Sequence, residues 1–149
     1  SVFNHGLLGM TKYFSSLYAE KNVRFNMVSP GPIFKNQNKK FVNEFVEKGA
    51  NSGRSPKEMA EHCNVIITCL PSPKVCSEVM ESKDGVLAGL SKGKIWLEMS
   101  TTDEAEIRRI GALVDAVGAL PIDCPVSGGC HRADTGNISI FAATRRNDA

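Results

Sequence analysis

At 149 residues, 42% of them hydrophobic and 23% charged, the chain has the composition of one globular domain with enough apolar side chains for a real core. Its net charge of +2 is spread over interleaved acids and bases, which argues against a nucleic-acid tract or a membrane patch. No apolar run approaches the ~18 residues of a membrane span.

The opening residues carry neither Met nor a signal-peptide pattern, so a fragment boundary and a cytoplasmic setting are expected. Five cysteines (Cys63, Cys69, Cys76, Cys124, Cys130) form an odd set without a C-x-x-C pair, and His5, His62 and His131 stand far apart. That spacing suits thiols in a reducing cytosol and offers no metal-ligand cluster. Lys35, Lys39 and Lys40 read as a solvated helix face.

In chain order, Leu7, Leu8, Met10, Thr11, Phe14, Leu17 and Tyr18 recur at helical spacing and predict a core-facing helix ending at Lys21-Asn22. Val23 to Val28 reads as a buried strand, closed by Ser29-Pro30-Gly31-Pro32. A helix is expected from Lys39 to Lys48, with Gly49 as its stop. Ser55-Pro56-Lys57-Glu58 carries a cap, a first-turn proline and a capping-box glutamate for a short helix ending near His62. Asn64 to Leu70 is a continuous apolar strand of the parallel-sheet type. A helix from Pro73 to Met80, a turn at Lys83-Asp84-Gly85 and a helical turn from Val86 to Leu90 follow. Lys94 to Met99 is the next strand, and Asp103 to Val117 an amphipathic helix with acids in its first turn and Gly118 as its stop. Leu120 to Asp123 and Gly136 to Ala142 complete the expected strands. Alternating strands and helices predict an α/β fold: an incomplete Rossmann-like, doubly wound, mainly parallel sheet with flanking helices.

Open parallel sheets bind ligands beyond the carboxyl ends of their strands. Three such ends carry small, hydroxyl or turn-forming residues: Leu70-Pro71-Ser72-Pro73, Met99-Ser100-Thr101-Thr102 and Asp123-Cys124-Pro125-Val126-Ser127-Gly128-Gly129. Each can serve merely to turn the chain. Three in succession at one sheet edge point to a site.

These segments, with Asp84-Gly85-Val86-Leu87, Lys92-Gly93-Lys94-Ile95 and Glu98-Met99-Ser100-Thr101 between them, resemble the β-hydroxyacid dehydrogenase family in order and spacing. That family includes 3-hydroxyisobutyrate dehydrogenase, tartronate semialdehyde reductase and 6-phosphogluconate dehydrogenase. The resemblance implies that Leu70 and Pro71 contact a dinucleotide, that Thr101 lies toward the nicotinamide, and that Ser127, Gly128 and Gly129 bind a substrate carboxylate. His131 and Arg132 either orient an anionic substrate or stand as solvated loop residues. Cys124 and Cys130 are assigned no chemistry, and Trp96 is read as core.

The family's G-x-G-x-x-G loop, which seats a pyrophosphate on a helix N-terminus, is absent from the sequence. Its catalytic lysine would lie on a helix beyond Ala149, so no catalytic residue is assigned. The first 45 residues instead resemble the C-terminal part of a short-chain dehydrogenase/reductase, through Gly6-Leu7-Leu8-Gly9-Met10-Thr11-Lys12 and Lys21 to Ile33. Alignment on Pro30-Gly31 implies Asn4 at that family's lysine and places its tyrosine before Ser1. Neutral Asn4 cannot lower a tyrosine pKa or hold a ribose by charge. Tyr13 and Tyr18 lie on the helix stripe as packing residues.

Two segments are therefore expected: residues 1–45 as a short-chain-dehydrogenase-like helix–strand remnant, and 46–149 as a partial NAD(P)-binding domain. The strand Val23 to Val28 can fill the sheet position of the second family's missing first strand, with Pro30-Gly31-Pro32 standing where the glycine loop belongs. Those prolines remove amide donors, so binding of NAD or NADP is expected to be weakened or lost. The implied function is that of a 3-hydroxyisobutyrate-dehydrogenase-type oxidoreductase domain, transferring hydride on a small 3-hydroxy acid and truncated or chimeric here. The alternatives are a catalytically inactive binding module and a short-chain dehydrogenase fragment. The expected partner is a small hydroxy acid, with self-association through exposed apolar surface and neither nucleic acid nor membrane.

Overall fold

The computed structural model describes residues 25–28 and 53–144. Four strands, β1 (Phe25–Val28), β2 (Val65–Thr68), β3 (Ile95–Glu98) and β4 (Leu120–Asp123), form one parallel sheet in the order β1-β2-β3-β4. The N-terminal strand thus lies against the Val65 strand as expected, with Phe25 opposite Val65 and Val28 opposite Thr68. The helices read at 7–18 and 39–48 and the Pro30-Gly31-Pro32 turn lie outside the described residues.

The helices between strands are α1 (Pro56–His62), α2 (Pro73–Glu81) and α3 (Glu104–Ala116), with a 3-10 turn at Val86–Ala88. Each of these three α-helices starts on a side-chain cap. Ser55 accepts from the Glu58 amide, Ser72 from that of Val75 and Asp103 from that of Glu106. The capping box expected at Ser55 is only half made. Glu58 turns outward to accept the Arg54 amide at 2.6 Å and pairs with the Arg54 guanidinium.

Because strand order advances in one direction and parallel crossovers share one hand, these helices land on one face. There Ala60, Cys76, Val79, Met80, Val86, Ile110 and Val114 pack with Ile66 and Trp96 of the sheet. Close approach is needed at Gly89, where any Cβ would collide with the Lys57 carbonyl of α1. Lys94 closes the other end of α1, its ammonium donating to the carbonyls of Ala60 and Glu61. Arg109 of α3 pairs with Glu81 of α2 and with Glu106 in its own helix.

The opposite face carries Ile67, Met99 and Cys124, with Val65, Leu97 and Ile122 half-buried beside them. A small antiparallel ribbon, β5 (Val126–Ser127) and β6 (Ser139–Ile140), contributes Val126 to this second cluster, which Ile138 also joins. The Rossmann-like, mainly parallel architecture is present, and the described strands make up the half of such a sheet in which order runs one way.

Several local expectations need correction. The strands read from Asn64 to Leu70 and from Lys94 to Met99 each span four residues, because the chain turns off the ladder where polar side chains take over its hydrogen bonds. The strand read from Gly136 to Ala142 shrinks to Ser139–Ile140 plus a single bridge between Asp123 and Ala143. Ser127-Gly128-Gly129 is not simply a loop. Ser127 ends β5, and Gly129 opens α4 (Gly129–Asp134). No helix among the described residues is long and apolar enough to cross a membrane.

Candidate functional site

Since all four strands are parallel, the three strand-end segments leave from one rim of the sheet. The segments after β2 and β3 lead onto the helix face, into α2 and α3, whereas that after β4 leads into the ribbon on the other face. Pro71 and Thr101 are exposed at this rim. Leu70 is buried in the core. Ser127 and Gly129 are exposed and Gly128 half-buried. Gly128 sits at φ 133° and Gly129 at φ 71°, conformations that favour glycine and let the chain pass directly from β5 into α4. His131 and Arg132 are exposed on α4.

Beneath the rim lies a buried polar network. Thr68, Glu98 and Ser100 are the buried polar residues among those described, and all three belong to it. Thr68 and Glu98 face each other in register across β2 and β3. The Thr68 hydroxyl donates to Glu98 Oε2 at 2.6 Å and accepts from Trp96 Nε1 at 2.8 Å. Glu98 Oε1 accepts the Ser100 amide at 2.7 Å, and the Cys76 thiol of α2 reaches Oε2 at 3.5 Å. Ser100 Oγ in turn accepts the Leu70 amide at 2.6 Å. That hydroxyl extends the ladder one rung past the point where β2 and β3 separate. The Cys124 amide donates to the Glu98 carbonyl at 2.7 Å, tying in the segment after β4.

Sequence reading missed Thr68 and Glu98. The available clue was one charged residue inside the apolar run Ile95 to Met99, placed by a parallel register opposite the one hydroxyl of β2.

The thiols near the rim are poor nucleophiles at neutral pH. Burial, reinforced by the Glu98 charge, raises the pKa of Cys76 and Cys69. Burial, then Asp123, pushes Cys124 up to about 11. Burial also raises Asp123 above the usual carboxylate value. The Thr102 hydroxyl oxygen is buried without a hydrogen-bond partner among the described residues, an acceptor and donor left open beside exposed Thr101. No group of three His, Cys, Asp or Glu residues among those described is arranged to hold a metal ion.

The family described as the NAD binding domain of 6-phosphogluconate dehydrogenase matches residues 32–149. The chain belongs to this family. Among its relatives, zebrafish (Danio rerio) cytokine-like nuclear factor N-PAC is 32% identical over 102 residues, covering 68% of this chain and 22% of that protein. Mouse (Mus musculus) mitochondrial 3-hydroxyisobutyrate dehydrogenase is 38% identical over 98 residues, covering 66% of this chain and 29% of that enzyme. The solved Mycobacterium tuberculosis 3-hydroxyisobutyrate dehydrogenase with L-serine superposes at a TM-score of 0.56 with 28% identity, over 61% of this chain and 30% of that one. The chain therefore spans less than a third of the length of these relatives.

Proposed function

We propose that the rim formed by the ends of β2, β3 and β4 is the nicotinamide-side part of a dinucleotide site in an oxidoreductase of the 3-hydroxyisobutyrate dehydrogenase type. The observation that carries this reading is that three strand-end segments leave the same edge of a parallel sheet, two toward its helix face and one toward the other, in a chain of the NAD-binding family. The residues present fit such a group in part. Exposed Pro71 and Thr101 offer an open, uncharged edge for a flat ring and its amide. A bound nicotinamide would supply hydride transfer. Ser127, Gly128 and Gly129 would hold the carboxylate of a small 3-hydroxy acid from the opposite face, with Arg132 close by in sequence as a cation. The pyrophosphate would lack its glycine loop, since the sequence contains no G-x-G-x-x-G, and affinity for NAD or NADP would be low. No described residue is assigned as the general acid or base, and binding without turnover is the expected behaviour in a cytoplasmic setting.

The test pairs two titrations. Calorimetry with NADH and NADPH should give saturable, weak binding, and hydroxyisobutyrate with the oxidised cofactor should give a flat trace at the reduced-nicotinamide band. Turnover would restore the full enzyme reading, and no binding of either dinucleotide would end the proposal. A second reading, a binding module without catalysis, is supported by relatives whose description is a nuclear factor. Binding that persists at high affinity without any hydroxy-acid effect would favour it.

A further inference from the structure

We propose that Glu98 is a positioning residue: its buried carboxylate fixes the segments after β2 and β3 in the one relative arrangement that presents Pro71 and Thr101 to a dinucleotide. This rests on the function proposed above and adds a residue whose side chain never reaches the ligand.

The argument starts from donors. Where two parallel strands part, the amides just beyond the last rung lose their partners, and a buried amide left unpaired costs stability. Here the last backbone rung is Met99 N–H to the Thr68 carbonyl at 2.8 Å. The next donors are the Ser100 and Leu70 amides. Glu98 Oε1 takes the first, and that bond holds the backbone turn at Met99-Ser100. The turn delivers Ser100 Oγ to the second, across the gap between the strands. Glu98 Oε2 meanwhile takes the Thr68 hydroxyl from β2 and the Cys76 thiol from the first turns of α2, the helix that begins just after Pro71. One fully buried side chain thus touches both strands, the following helix and the turn leading to Thr101.

Only a carboxylate of this length answers all of these donors. Glutamine must set its NH2 either against the Ser100 amide or against the Thr68 hydroxyl, which already accepts from Trp96. The first sets donor against donor; the second fills the hydroxyl's other lone pair but takes from the Thr68 proton and the Cys76 thiol the oxygen they donate to. Aspartate, one methylene shorter, cannot keep both oxygens where they stand.

The experiment uses the full chain and three variants: Ser100→Ala, Glu98→Gln and, as a control for lost stability alone, Val114→Ala in the core of α3. Amide hydrogen exchange of residues 69–73 and 99–103 is followed in the ligand-free protein, and NADH affinity is measured by calorimetry. Ser100→Ala and Glu98→Gln should each speed exchange in both segments by about tenfold and weaken NADH binding by a similar factor, as expected for one lost buried hydrogen bond. Val114→Ala should lower the melting temperature and leave both readouts as in the parent. Trp96, bonded through Thr68 to the carboxylate, should shift its emission in Glu98→Gln alone. If Glu98→Gln does not fold, Ser100→Ala still decides. A parent chain that binds NADH while Ser100→Ala binds equally well overturns the positioning role and leaves the proposed function standing. A Val114→Ala chain that loses affinity as much as the other two also overturns it. A parent chain that binds no dinucleotide removes the proposed function and the positioning role together.

Discussion

Gly128 and Arg109 show how single residues hold the ends of this fold. At φ 133° an alanine at position 128 would be strained, and its Cβ would lie 2.8 Å from Arg132 Cδ. Gly128→Ala should therefore cost roughly 1–3 kcal/mol, read from urea unfolding, with the loss concentrated in β5 and α4. Arg109 acts through charge. Hydrogen bonds from Arg109, then from the Ser77 hydroxyl, draw the Glu81 carboxyl down from 4.5 to about 2, and Arg109 lowers Glu106 as well. A carboxyl whose pKa is lower in the folded state stabilises fully above its unfolded value and loses that contribution as pH falls toward the folded one. Melting temperature should thus decline between pH 4.5 and pH 2, and Arg109→Met should show a shallower decline. A parallel pair of curves would refute that coupling. At this scale the sequence was least informative. Nothing in a lone glutamate of an apolar strand says that Thr68 stands opposite, because that neighbour is set by register across thirty residues.

Elements were more legible, where local chemistry decides them. Ser55-Pro56 announced α1, and the acids after Asp103 announced α3, because a cap and a favourable first turn act within a few residues. Strand lengths were overread, since apolar side chains continue past the point where Ser100 and Glu98 replace ladder bonds. The α4 helix was missed because Gly128-Gly129 reads as a turn, and six residues give too little periodicity to reveal a helix. The caps can be tested directly. Ser72→Ala removes the acceptor for the Val75 amide at 3.3 Å and should cost about 1 kcal/mol in thermal unfolding. Since α2 begins at the rim, the same variant should also raise exchange in residues 71–76. Unchanged stability would mean the cap bond is replaced by water without loss.

For the whole molecule, parallel order was readable because buried strands separated by helices leave few arrangements once crossovers share a hand. The docking of β1 beside β2 was inferable only as a physical option, and the register from Phe25–Val65 to Val28–Thr68 realises it. The sequence could not tell which face each segment would take on leaving the sheet. That depends on tertiary packing, namely Val126 and Ile138 covering Ile67 and Met99. The outcome puts the two segments assigned to cofactor on one face and the segment assigned to substrate carboxylate on the other. The most direct measurement of the central claim is calorimetric titration of NADH into the chain and into Thr101→Asp. The account predicts saturable binding to the parent and at least roughly tenfold weaker binding to the variant, whose added carboxylate would sit beside an anionic ligand. Equal binding to both, or none to the parent, would contradict a dinucleotide at this rim.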